Sequence, residues 1–362
     1  MDEPLRAEVR IADPGEVAAA LPHLIGFHPH ESLLLVALGG PSGGRVGLPV
    51  RGDLPVRAAA PGVVEALVRS VATDDPAAVV VAVVSEAPDD CAPLPGQPPG
   101  EAVAGLPHRA VVHDAVVALA ARDIPVRDAL LVRRGRWWSY DCPHPCCAPD
   151  AGTPLPGGVT ELAAASVAVG AVVERDRAAL DRRIRRPDGA AMAAMEALVW
   201  RVGDRHARGA LADPDAEAER SWATVRRVVA RCRPGRAGVA PVPDRDVAGV
   251  LWALADVRVR DRALGLALGE DAAAAETLWT ECTRRAPAPL DAAPATLLAV
   301  SAWLRGDGAM ANVALERALD SRPTYTLAGL LAQGLATCLP PAALRDLIAA
   351  TAADLDGSRS VG

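Results

Sequence analysis

The chain has 362 residues, enough for two domains or one large one, and its 51% hydrophobic and 23% charged residues exclude wholesale disorder. Aromatics are only 3%, so any core has to be built from Ala, Val and Leu, and all 38 basic side chains are Arg. A net charge of −7 excludes a globally basic nucleic-acid surface. No run of about 18 apolar residues is present, which excludes an ordinary membrane helix. Residues 162–173 come nearest, between Glu161 and Glu174. The N-terminal residues are charged and carry no apolar signal core. Four of the seven cysteines (Cys91, Cys232, Cys282, Cys338) stand singly, unlike a disulfide framework. The expectation is a cytoplasmic protein.

The first 158 residues mix strands and helices. Residues 17–24 read as a short helix entered through Asp13-Pro14, an N-cap followed by a residue suited to the first turn. Residues 33–38 are an unbroken apolar run of strand length, and 46–50 resume after a glycine-rich loop at 39–44, which reads as a hairpin. Helical spacing follows at 61–71. Residues 78–84 are a Val-rich run of the kind expected for a strand covered on both faces. Six prolines make 87–107 a loop. A helix at 108–121 leads to paired strands at 128–132 and 136–140. The order β-β-α-β-α-β-β after the opening helix predicts an α/β domain over residues 1–158 with a mixed sheet.

From 159 to 362 strand signals vanish and an all-α domain is expected. Leu264-Gly265 with Pro289, and Leu298-Ala299 with Pro323, repeat one layout 34 residues apart. Ala311, Leu315 and Ala318 supply a small-large-small stripe in the second unit. This layout matches tetratricopeptide-like helical hairpins; a plain helical bundle is the competing reading.

Two constellations could carry chemistry. Cys142-Pro-His-Pro-Cys-Cys147 places three thiols and an imidazole within six residues, and Cys142, His144, Cys146 and Cys147 are the residue types zinc prefers. The irregular spacing, and the adjacency of Cys146 and Cys147, which cannot easily both face one ion, favour a tight turn with cysteines packed under Trp137 or Trp138. His28, His30 and Glu31 stand just before the first strand, where Glu31 would be the general base and His28 the proton shuttle. His108 and His113 lie about 140° apart on one helix and are unlikely partners for one ligand. Arginines at 175–186 and 220–236 could grip phosphate, but a solvated helix face is favoured in a chain whose every base is Arg.

Several strings together carry a resemblance: Leu21-Pro-His-Leu-Ile-Gly-Phe-His-Pro29, Arg136-Trp-Trp-Ser-Tyr-Asp-Cys142, Gly152-Thr-Pro-Leu155, Leu254-Ala-Asp-Val-Arg-Val-Arg-Asp261 and Ala302-Trp-Leu-Arg-Gly-Asp-Gly308. The sequence resembles domain-of-unknown-function family 4192, found mainly in actinobacteria, from about residue 14 to about residue 347. The resemblance implies that Cys142, Cys146 and Cys147 belong to the family pattern, and it carries over no catalytic residue. No pattern decides between an enzyme and a binding protein. The first expectation is a binding or scaffold protein whose helical half holds a protein or peptide. The alternative is a metal-dependent hydrolase using the His28/His30/Glu31 region near the 142–147 loop. Nucleic acid and membrane are not expected partners.

Overall fold

The computed structural model describes residues 13–39, 45–89, 105–158, 173–233, 241–337 and 339–359. The expected glycine loop at 40–44, most of the proline-rich loop, the apolar stretch at 162–172, Arg236, Cys91 and Cys338 lie outside the described residues. The chain divides into two compact units, Met1–Arg177 and Ala178–Gly362. The sequence placed the division at 158; Glu174 belongs to the first unit through a parallel bridge to Phe27, with His28 N–H donating to Glu174 O and Glu174 N–H to Gly26 O.

The first unit is the expected mixed sheet with helices. Helix α1 (Pro14–Ile25) starts where Asp13 accepts a hydrogen bond from Gly15 N and Pro14 fills the first turn. It ends on Gly26, whose φ of 81° suits a residue without a Cβ. Strands β1 (Ser32–Gly39) and β2 (Arg45–Asp53) form the hairpin. Then come α2 (Ala60–Val71), β3 (Ala78–Val84), α3 (Arg109–Ala120), β4 (Val126–Arg133) and β5 (Arg136–Ser139). A two-residue strand, β6 (Thr153–Pro154), pairs with β5 beyond the expected elements. The order across the sheet is β2-β1-β3-β4-β5-β6, with only β3 and β4 parallel. Leu33, Leu35, Val79, Val81, Ala129 and Leu131 pack under α2 and α3, while Leu34, Val36, Val80, Ala82 and Leu130 pack under α1. Covering both faces explains why β1 and β3 are continuous apolar runs instead of alternating ones. Edge strand β2 is only partly buried along its length and contains Pro49.

The second unit is all-helical among the described residues. Its helices are α4 (Arg177–Arg183, its first residue in the first unit), α5 (Gly189–Ala212), α6 (Pro214–Arg231), α7 (Asp244–Ala253), α8 (Val257–Leu264), α9 (Ala272–Arg285), α10 (Ala292–Leu304), α11 (Gly308–Ser321), α12 (Thr326–Ala336) and α13 (Pro341–Arg359). None of the described helices is long and apolar enough to cross a membrane. Helix α10 is buried nearly all round, as expected for the central helix of a bundle. Helix α11 packs on it, and the stripe residues Ala311, Leu315 and Ala318 are all buried. In the first expected repeat unit the leading helix α8 has eight residues followed by a 3-10 turn, Gly265–Leu268, whereas the second leads with the 13-residue α10.

Two contacts set this packing. Trp252 of α7 lies so close to α5 that a Cβ on Gly203 would meet its ring at 2.5 Å, and its Nε1 donates to Val199 O at 2.7 Å. Asp291, 0% exposed just before α10, accepts from Arg186 at 2.9 Å, from Arg317 at 2.8 Å and from the Ser321 hydroxyl. A buried carboxylate is tolerated only with such partners, and removing one member of a buried pair costs about 3–5 kcal/mol. Asp291→Ala should therefore lower unfolding stability by that order in urea titration. Asp246→Ala, at an acid paired with more exposed Arg227 and Arg231, should cost about 1 kcal/mol or less.

Candidate functional site at the carboxyl edge of the sheet

The parallel strands β3 and β4 end side by side, joined beyond the ladder by Ser85 N–H donating to Val132 O. Beside them β1 begins, because it runs antiparallel to β3 and pairs Ser32 with Val84. The carboxyl ends of parallel strands are where α/β sheets commonly receive ligands. Three residues converge here from distant parts of the chain. The Ser85 hydroxyl donates to Glu31 Oε2 at 2.7 Å and lies 2.9 Å from His108 Nε2; Glu86 N–H donates to Glu31 Oε1 at 2.8 Å. Ala87 N–H also donates to Ser85 Oγ, at 3.1 Å.

The proton positions follow from counting. A hydroxyl has one proton and two lone pairs. The proton of Ser85 goes to Glu31, so His108 must present Nε2–H to the oxygen. Ser85 is thus saturated, and at 1% exposure it is closed to substrate, which is unlike a serine nucleophile. Burial pushes the Glu31 pKa up, but the hydrogen bonds from Ser85 and Glu86 N–H and the nearby His30 and His108 outweigh it. The carboxyl is held below its ordinary value. Glu31 and His108 both have left-handed backbone, φ 40° and 61°. Such conformations in residues with a Cβ persist where the surroundings over-determine them, and they cluster at functional sites.

On the α1 face of the same edge is a cavity of about 290 Å³, lined among others by Leu21, His23, His28, Val84, Val132 and Leu155. His23 Nδ1 is buried there with no hydrogen-bond partner. Burial, then the charge of His28, lowers the His23 pKa, which keeps the ring neutral. A neutral imidazole has one donor and one acceptor nitrogen, so His23, a lining residue, keeps a buried nitrogen the protein leaves unpaired.

The three expected residues therefore separate. Glu31 is tied into the Ser85 network, His28 lines the cavity, and His30 is an exposed neighbour of Glu31. Sequence reasoning missed Ser85 and His108, the latter set aside with His113. The signal for Ser85 was present: it is the first polar residue after the buried run of β3.

The 142–147 loop follows β5. The thiols of Cys142, Cys146 and Cys147 all lie within 4.8 Å of one another, and the group does not include His144. Cys142 Sγ and Cys146 Sγ are 3.8 Å apart, and Cys147 Sγ accepts from Ser139 N–H at 3.3 Å. Burial pushes the Cys147 thiol up to about 11, whereas the His144 N–H holds that of Cys142 below its usual value. Arg133 ties this loop to the segment after β3, donating to Pro149 O and to Ala87 O, with its guanidinium over the Trp138 ring. Among the described arginines of the 220–236 cluster, Arg220, Arg227, Arg231 and Arg233 are paired with Glu217, Asp246 and Asp271.

A family model described as a domain of unknown function (DUF4192) matches residues 14–342. No curated protein matches, and no solved structure matches.

Two outcomes are expected at the network. Ser85→Ala strands two half-buried polar partners and should cost about 1–3 kcal/mol in urea unfolding. Because the Glu31 pKa is lower in the folded chain than its ordinary 4.5, its contribution is present above that value and is lost as pH falls through the folded pKa. The stability gap between the native chain and Glu31→Gln should be largest near pH 7 and shrink below about pH 4; a gap independent of pH would contradict the ionised hydrogen-bonded carboxylate.

Proposed function

We propose, from the premise that the chain belongs to the DUF4192 family, that the protein is a binding protein whose α/β unit holds a small polar molecule at the carboxyl edge of its sheet. The observation that carries this reading is the cavity on the α1 face of that edge, where His23 and His28 stand among aliphatic side chains. Its volume is at the lower end of small-molecule sites, and its lining of aliphatic side chains with a few polar groups is the usual composition. The apolar part of such a molecule would rest on Val84, Val132 and Leu155.

The hydrolytic alternative assigns Glu31 as general base and His28 as proton shuttle. A carboxylate stabilised in its ionised form is a weak base at neutral pH, so the same observations favour binding over proton abstraction. For the helical unit we propose a protein or peptide partner. Trp200 and Leu211 of α5 are 64% and 88% exposed, and at 100° per residue their separation puts them about 20° apart on one stripe. The paired arginines of the 220–236 cluster weigh against nucleic acid.

Ligand-observed NMR of the full chain against small polar molecules with an apolar part tests the first reading. A subset should bind, with affinity reduced at least tenfold in His28→Ala and in His23→Ala. Binders indifferent to both substitutions, or no binder at millimolar concentration, would overturn it.

A further inference from the structure

The geometry of the 142–147 loop points to a second site, independent of the carboxyl-edge reading: we propose that Cys142, Cys146 and Cys147 form a three-thiolate site for a zinc-class ion. Two thiolates on a tetrahedral zinc, each about 2.3 Å from the metal, are separated by roughly 3.8 Å. The sulfurs of Cys142 and Cys146 are 3.8 Å apart, and Cys147 completes a triangle with no side above 4.8 Å. A disulfide needs sulfurs at about 2.05 Å, so the spacing belongs to three separate thiols around a common point.

The loop reaches this arrangement through its own backbone. Pro143 and Pro145 restrict it, and Pro145–Cys147 form a 3-10 turn with Cys147 N–H donating to His144 O and Ala148 N–H to Pro145 O. Gly152 N–H donates to Cys146 O at 3.0 Å, and Trp138 Nε1 to Ala148 O at 3.0 Å. The bond from Ser139 N–H orients Cys147. Within this hydrogen-bonded loop the sulfurs of two cysteines adjacent in sequence both come within 4.8 Å of that of Cys142. A ligand set held by hydrogen bonds before the ion arrives loses little conformational entropy on binding.

The donor set selects the ion. Three soft sulfurs suit zinc and its thiophilic relatives and reject magnesium and calcium, which take oxygen. On binding, each coordinating thiol gives its proton to solvent and a sulfur–metal bond replaces the sulfur–proton bond, with no change of oxidation state. Cys146 is exposed, which gives the ion a path in. Three protein ligands leave one tetrahedral place, to be filled by water or by a donor from outside the cluster.

The test uses the full chain, purified with reductant, and Co²⁺ alone as the probe. One Co²⁺ per chain should bind, with thiolate-to-cobalt charge-transfer absorption and the visible bands of a tetrahedral set, and equimolar Zn²⁺ should abolish both. Cys146→Ser and Cys142→Ser, the less buried positions, should each weaken Co²⁺ binding at least tenfold at unchanged far-UV circular dichroism. Cys232→Ala, in the helical unit, should bind as the native chain does. The proposal is overturned by no charge-transfer band with cobalt in fivefold excess over reduced protein, by binding that both serine variants retain, or by binding that Cys232→Ala loses.

Discussion

The carboxylate of Glu31 ties the entry of one central strand to the exit of another. Its two oxygens receive the hydroxyl of Ser85 and the amide of Glu86, and its main-chain carbonyl accepts from Leu54, just beyond β2. One residue thus fixes the ends of β1, β2 and β3 together. Local backbone strain is the cost, since Glu31 sits at φ 40°. Glycine would relax that strain but, without the carboxylate, would release the strand ends. His108, in the same backbone region, anchors the start of α3 to the same hydroxyl. The shape of the edge depends on a polar knot, whereas the sheet behind it depends on apolar burial.

The helical unit solves the same problem with the opposite chemistry. Its central helix α10 is so apolar that periodicity alone cannot orient it. Orientation comes from Asp291 at its start, which draws Arg186, Arg317 and Ser321 onto one buried carboxylate. In a chain without lysine this role falls to arginine, whose planar fork serves carboxylates well. Small residues do the rest: Gly203 lets the Trp252 indole lie against α5.

Much of the fold was readable because burial leaves a plain mark on sequence. The runs at 33–38 and 78–84 are strands covered on both faces, and they stand out as unbroken aliphatic segments. Strand β6 was not readable: two residues, one of them proline, carry no periodicity. The candidate site was half readable. Glu31 and His28 drew attention as polar residues before a strand. Ser85 and His108 meet Glu31 only through the crossover from β3 to α3, and no local pattern records that meeting. For the cysteines, spacing identified the residues, and the adjacency of Cys146 and Cys147 argued against a shared ion. The folded loop removes that objection, since all three sulfurs lie within 4.8 Å of one another, a proximity invisible in composition. Asp291 resembled any other aspartate, since its burial arises from helices that close over it.

The outer strand β2 has a consequence for how the molecule behaves among its own copies. A free sheet edge offers amide and carbonyl groups to any passing strand. Here Pro49 removes one of those amides, and charged Arg45 and Asp53 stand at the two ends. At the other margin the sheet finishes in a strand of only two residues, Thr153–Pro154, which offers almost nothing to pair with. Both margins are thus poor templates for continuation into a neighbouring molecule, and a concentrated solution of this protein has no ready route to fibre growth by adding strands to this sheet.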